Sequence, residues 1–517
     1  MVQNCPLDIT PLKQSAAIQL PPIENLNYTS QEFWSLKARI IDRVREKYGS
    51  QFSDFVESDL AIMLLENWAF IGDTLSFKID QIANEVFVDT VTELDNMFRL
   101  AQLMGFEPLP PIAGRSFWTV STNNILDTNL VINFVPTIDI SVGNQSSTIE
   151  LFPKDSNNNP LFDNSIVIPA GTTSITNIIG LEGRTVTQNF TGTGEINQII
   201  SLSDSPVLFD SIRVSVDGAN WTKVTSFTDS ERRREYRIGH NANFEAFVFF
   251  GNNRAGLIPT NGSPIQIKYR VGGGPIGNIT TGSTQVQRQV PVPGLLFSAT
   301  VTFFNHTKGD FGYSGDTIND IRRKLPAYLN AQNRSVSGPD YKTLADQYAS
   351  AFHGQIGKST AVLRNHGCAG NIIDLYVLAR EDDNGLTPAT NELKNDLIEE
   401  FSSKKMFTDY LCIRDGVVLE VDTDVEIVLD KFFKKFEPEY RARIENLVDQ
   451  FFQLHRWDYN TDLKDTDLIK ALSEIKEITS ISVNFTTEDL SNSGSSVITR
   501  FFEIIRPDIT NISFIFE

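Results

Sequence analysis

Histidine is scarce, with 5 in 517 residues. So few imidazoles leave little raw material for acid–base or metal chemistry near neutral pH. Cysteine is scarcer still: Cys5, Cys368 and Cys412. That odd, sparse set excludes a disulfide framework and fits a reducing compartment. Positive charge is also short. Lys plus Arg number 45 against 65 Asp plus Glu, a net −20. Such a surface repels phosphate and anionic lipid, which argues against a nucleic-acid partner and against a membrane partner. Unbroken apolar runs such as Phe247 to Phe250 fall far below the roughly 18 residues of a membrane helix. No basic stretch followed by an apolar one opens the chain, so no signal peptide is expected.

What is present is ordinary for folded domains: 40 % apolar and 21 % charged residues. At about 150 residues per domain the length corresponds to roughly three. Residues 1–28 are polar, contain Pro21-Pro22, and read as an extended arm. Residues 29–110 read as a helical segment. Thr29 and Glu32 have capping-box spacing, and Phe33, Leu36, Ile40 and Val44 follow at helical intervals. A second helix is expected from Ser58 to Ile82, apolar nearly all round in its first half, which calls for burial on more than one side. A third fits Thr92 to Met104, with Leu94, Met97, Phe98, Ala101 and Met104 on one face and Gly105 and Pro108 to stop it.

Residues 111–304 change to short alternating runs between turn residues, the pattern of an all-β region. Strands are expected at Phe117–Ser121, Ser165–Ile168, Ser211–Val216, Phe244–Phe250, Ile265–Val271 and Ala299–Phe304. Residues 305–350 form a helical connector, broken at Ser337-Gly338-Pro339. Residues 351–517 alternate strand and helix on what reads as one small sheet, a ferredoxin-like, open-faced α+β sandwich. The whole is a multidomain α+β chain.

Short motifs yield no chemistry. Gly272 to Gly277 satisfies G-x-G-x-x-G, but Pro275 sits inside it and no helical pattern or ribose-binding acid follows, so a structural turn is expected. Gly357-Lys-Ser-Thr360 lacks the Gly that a phosphate loop needs five positions earlier, where Phe352 stands. Asp155, Asn157 and Asn159 have calcium-loop spacing, yet Pro160 and Ile166 occupy the Gly and Glu positions. His366 and Cys368 read as a Gly-rich turn with a bystander thiol. Arg232-Arg-Arg234, flanked by Glu231 and Glu235, reads as a solvated turn, with a salt bridge to an acidic partner as the functional alternative. No catalytic residue, metal ligand or cofactor site is assigned, and the chain is read as a non-enzyme.

Four blocks in order resemble the baseplate J-like family. The first is Asp59-Leu-Ala-Ile-Met-Leu-Leu-Glu-Asn-Trp-Ala-Phe-Ile-Gly-Asp-Thr-Leu with Asp80-Gln-Ile-Ala-Asn-Glu and Leu103-Met-Gly-Phe-Glu-Pro. The second is Ile168-Pro-Ala-Gly-Thr172. The third is Phe250-Gly-Asn-Asn-Arg-Ala-Gly-Leu-Ile-Pro with Ile265-Gln-Ile-Lys-Tyr-Arg-Val-Gly-Gly-Gly-Pro-Ile-Gly-Asn. The fourth is Asn333-Arg-Ser-Val-Ser-Gly-Pro-Asp-Tyr. Asn252 and Asn253 stand where the family has Asp-Gly, Gly338-Pro339 is inserted in the fourth block, and residues 117–168 match no family block.

The resemblance implies a structural baseplate wedge protein of a contractile phage tail or related injection system. Homodimers would link into a ring around the tail tube and rearrange on sheath contraction. The N-terminal helices would bundle with a long helical wedge subunit and meet a small sheath-initiator protein, and the C-terminal part would contact other copies. The location would be the virion tail baseplate, assembled in the host cytoplasm. Interface residues expected on the second helix are Leu64, Leu65, Trp68, Phe70 and Ile71. Competing readings are a tail-associated glycan hydrolase and a carbohydrate-binding receptor module using Trp118 or Trp221.

Overall fold

The computed structural model describes residues 29, 32–49, 60–143, 145–227, 233–292, 297–365, 371–382, 385–473, 475, 477–488 and 492–516. The expected arm at 1–28, Cys5, Ser58, Asp59, Glu231, Arg232, His366 and Cys368 lie outside the described residues. The chain divides into two compact units. One holds Leu109–Gly315 and the chain from Pro326 onward; the other holds the described residues up to Pro108 with Asp316–Leu325.

The smaller unit contains helices α1 (Phe33–Tyr48), α2 (Leu60–Asn84), α3 (Leu94–Leu103) and the first half of α4 (Ile318–Ala331). The capping box of α1 joins Glu32 and Ser35, not Thr29 and Glu32. Thr29 donates its backbone N–H and hydroxyl to the Asp80 carboxylate of α2, at 3.1 and 2.8 Å. An ionised carboxylate is the stronger acceptor, so tertiary contact overrides the local cap. On α3, Met97, Phe98 and Ala101 are buried as expected, whereas Met104 is exposed. Gly105, at φ +78°, ends that helix in the left-handed region. Arg322 of α4 donates to the carbonyls of Val88 and Val91, fixing the turn before α3. Helix α2 is long and apolar enough to cross a membrane by length and composition. Polar residues at intervals break its sequence into short runs, which hid this.

In the larger unit, the described residues of 109–315 are all-β apart from one short 3-10 turn, Pro275–Gly277. Each expected strand is present, for example Arg115–Thr122, Pro264–Val271 and Ser298–Asn305. Four sheets form, one six-stranded, two four-stranded and one two-stranded. The six-stranded sheet joins Arg115–Thr122 to Ser298–Asn305 on one side and Ser174–Glu182 on the other. Trp118 is fully buried in its core, its indole N–H on Ser116. The Gly272–Gly277 segment is a turn, as expected. Its Gly273 and Gly274 amides donate to Glu182 at 2.8 and 3.0 Å. Arg270, 5 % exposed, donates Nη2 to the carbonyls of Leu181, Glu182 and Gly183, and Nη1 to Glu150 at 2.5 Å. Three strands and the glycine turn are thereby locked together. A Cβ on Gly114 would lie 2.6 Å from the Gly277 backbone, and one on Gly309 2.0 Å from the Gly277 carbonyl oxygen, so three chain segments meet there without side chains between them.

Helix α5 (Gly338–Asp346) starts at a Ser337–Asp340 capping box, which accounts for the Gly338-Pro339 insertion: Pro sits in the first turn, where no amide is needed. Tyr341 donates to Asp409 and stacks on Phe401 of α6 (Asn391–Ser402). The single C-terminal sheet is corrected to two main sheets and a two-stranded pair, Leu463–Lys464 with Ser496–Val497. Gly354–Asn365, Asn371–Arg380 and Asp409–Asp415 belong to a five-stranded sheet with α6. Val417–Leu429 lies between Ile478–Thr486 and Glu503–Phe516 in a three-stranded sheet. Helices α7 (Glu437–Phe451) and α8 (Asp465–Leu472) join its core through Ile444, Val448, Leu468 and Leu472. Glu420, Asp424 and Glu426 face solvent from its other side, so this part has an open face. A ferredoxin-like strand path is not confirmed by this order.

Two outcomes follow for stability. Arg270→Met leaves Glu150 buried without its cation, which costs about 3–5 kcal/mol. Denaturant melts should show an early transition of the β region; an unchanged midpoint refutes the locking role. Burial pushes the His240 imidazole down to about 4 from 6.5, with Lys223 adding to the shift. The unfolded chain binds this proton first, so its contribution to stability is complete above pH 6.5 and is lost as pH falls towards 4. His240→Gln should flatten the melting temperature across that window relative to the parent chain.

Candidate functional site

Helix α2 turns its polar side towards α1. Glu66, Asp73 and Asp80 recur every seven residues and form one stripe. Glu66 pairs with Lys37 of α1 at 2.6 Å, and Asp80 holds Thr29. Between them Gly72 receives Leu36, whose Cδ1 would lie 3.1 Å from a Cβ at that position. Ile62 and Ala69 are the buried residues of the helix.

The rest of the helix is largely apolar and open, although Asn67, Thr74 and Lys78 are also exposed there and Gln81 is half-buried. Leu60, Leu64, Trp68, Ile71, Leu75, Ile79 and Ile82 are exposed along one stripe, and Met63, Phe70 and Phe77 along a second. At about 100° per residue the two stripes subtend roughly 200° of the helix circumference. Trp68 is 69 % exposed and Phe70 62 %. Of the five residues expected at an interface, Leu64, Trp68, Phe70 and Ile71 are exposed, while Leu65 is half-buried. Trp34 of α1 (69 % exposed) extends the open apolar surface. Sequence reasoning had not singled out Leu75, Phe77, Ile79 and Ile82. Their heptad-like spacing along α2 was the signal that could have found them.

The motifs are placed as structure. Gly357-Lys-Ser-Thr360 lies in the strand Gly354–Asn365, with Ser359 buried and donating to Asp346. Both Asp155 carboxylate oxygens are engaged by Asn157 and Asn159, closing a turn, and those bonds hold its pKa below the usual carboxylate value. Arg233 and Arg234 are exposed. One cluster had no sequence signal because its members are far apart in the chain. Ser350 and His353 both bond Asp396, and His353 Nε2 meets the Asn157 carbonyl. The serine bonds the carboxylate and not the imidazole, so this is a brace and not a nucleophile relay. Among the described residues, no group of three or more His, Cys, Asp and Glu is placed to hold a metal ion.

The helical segment carries the comparison that decides most. Residues 32–103 match the family described as bacteriophage baseplate protein, N-terminal domain. That match contains α1, α2 and α3 whole. No curated protein matches the chain. Among solved structures it is similar to a chain of the anti-feeding prophage baseplate at 10 % identity and TM-score 0.34, covering 91 % of this chain and 90 % of that one. It is also similar to a chain of the type VI secretion TssK-TssF-TssG baseplate subcomplex at 10 % identity and TM-score 0.29, covering 69 % of this chain and 96 % of that one.

Trp68 and Ile71 are mostly exposed, so little packing within the chain is lost when they are replaced. Trp68→Glu and Ile71→Glu should each change stability by no more than about 0.5 kcal/mol and reduce binding of a hydrophobic dye. A large loss of thermal stability in either variant would show that these side chains are packed within the chain.

Proposed function

We propose that this chain is a structural subunit of a contractile-tail baseplate, and that the open side of α2 is where other subunits seat their helices. The observation that carries the reading is the wide uncovered apolar arc on a helix that lies inside the baseplate-type N-terminal match. Burying one such Leu, Ile or Phe side chain gives about 1.5–3 kcal/mol. Several in a row suit the apolar interface of an obligate assembly. Two stripes of different direction suit two partner helices.

The finer assignment is a wedge protein of the baseplate J-like kind. Its partners are a long helical wedge subunit, a small sheath-initiator protein and a second copy of this chain. Alternating contacts between copies would close a ring around the tail tube. Wedges would pivot as rigid bodies at those contacts when the sheath contracts. The site of action is the tail baseplate of the particle, assembled in the host cytoplasm. The role is structural. Although α2 is long enough to span a membrane, three acidic residues in one stripe make insertion costly.

The test is particle assembly with the double variant Trp68→Glu/Ile71→Glu. Soluble, folded chain with no baseplates by electron microscopy is the expected result. Contractile particles of normal number and form would overturn the docking role of α2. Light scattering on the parent chain reads the pairing, a mass near twice 57.9 kDa being expected.

A further inference from the structure

A cleft of about 490 Å³ opens on the sheet that contains Arg213–Val216 and Pro264–Val271. Its volume is in the range of small-molecule sites. The wall combines aromatic side chains, Phe209 and Trp221 among them, with polar groups that include Asp210, Arg213, Gln266 and Arg270. Trp221 is half-buried and held edge-on against Phe250, ring centroids 5.3 Å apart, so its ring is fixed in place. Gln266 and Arg213 project from the exposed side of their strands.

The charges in this wall are matched. Arg213 stands 3.7 Å from Asp210, and Lys268 stands 3.1 Å from Asp163. Neither sign dominates, so the cleft has no preference for a phosphate or for a polycation. What it offers is a fixed apolar ring beside groups that both donate and accept hydrogen bonds. Arg270 adds a buried Nε with no hydrogen-bond partner, although its other nitrogens are fully engaged. A buried donor left unmade costs about 1–3 kcal/mol, a local cost the fold carries beside the cleft.

We propose that this cleft binds a neutral saccharide. A pyranose has a C–H-rich face that lies against an aromatic ring, and a rim of hydroxyls that each donate and accept. Both halves of that chemistry are matched here, the first by Trp221 and Phe209, the second by Gln266, Asp210 and Arg213. The proposal is independent of the assembly role of α2, which lies on other residues.

The test is calorimetric titration of the full chain with maltotriose, chitotriose and mannotriose, each to about 10 mM. At least one should bind, with affinity reduced about tenfold or more in Gln266→Ala and in Asp210→Asn. Gln266 is exposed, so its variant should keep the parent melting temperature; Trp221→Ala is the second probe of the ring. Failure of all three trisaccharides overturns the proposal. So does binding that survives unchanged in both polar variants. Neither result bears on the Trp68→Glu/Ile71→Glu assembly experiment.

Discussion

The polar stripe of α2 is the constraint from which the functional reading follows. The three acidic residues of the helix recur on one side, while Lys78 lies exposed on the other. The acidic side is taken up by α1, through Lys37 on Glu66 and Thr29 on Asp80. In a solitary soluble helix pair the arrangement would be reversed, with apolar residues between the helices and charges in water. The inversion leaves large apolar side chains in solvent, a costly state for a monomer. The proposed docking of partner helices on that side would remove this cost.

Much of the architecture was legible in the sequence, and the exceptions have physical reasons. The helix at Thr92 to Met104 declared its buried face by spacing alone. The strands at 117, 265 and 299 alternate cleanly and were found. Arg184–Thr191 escaped notice because it is polar and only half-buried along its length. Ser174–Glu182 escaped because its second half is buried on successive residues, which defeats a search for alternation. The division of the C-terminal strands between two sheets was out of reach, since pairing depends on partners far apart in the chain. The exposed apolar positions of α2 were partly readable. Apolarity picked out Leu64, Trp68, Phe70 and Ile71, but the half-burial of Leu65 depends on where α1 lies.

The residues that depart from the family-like motifs sit at turn positions suited to them. Asn252 accepts from the backbone amides of Arg254 and Ala255, the turn-closing role open to an Asp at that position. Asn253 occupies φ +65°, where glycine is the easier residue and asparagine the next. The Arg270 and triple-glycine block proves to be one device: the guanidinium gathers three carbonyls, and Glu182 gathers two glycine amides. A pattern that superficially matches a nucleotide loop is a fastening between strands.

The meeting of Gly114, Gly277 and Gly309 has a mechanical meaning. Side chains act as cushions: they shift between rotamers and absorb displacement. Where bare backbones touch, nothing can yield except the peptide units themselves, and close-packed interiors transmit strain instead of dissipating it. This point in the β region is therefore a stiff bearing, suited to a part that must carry load without deforming.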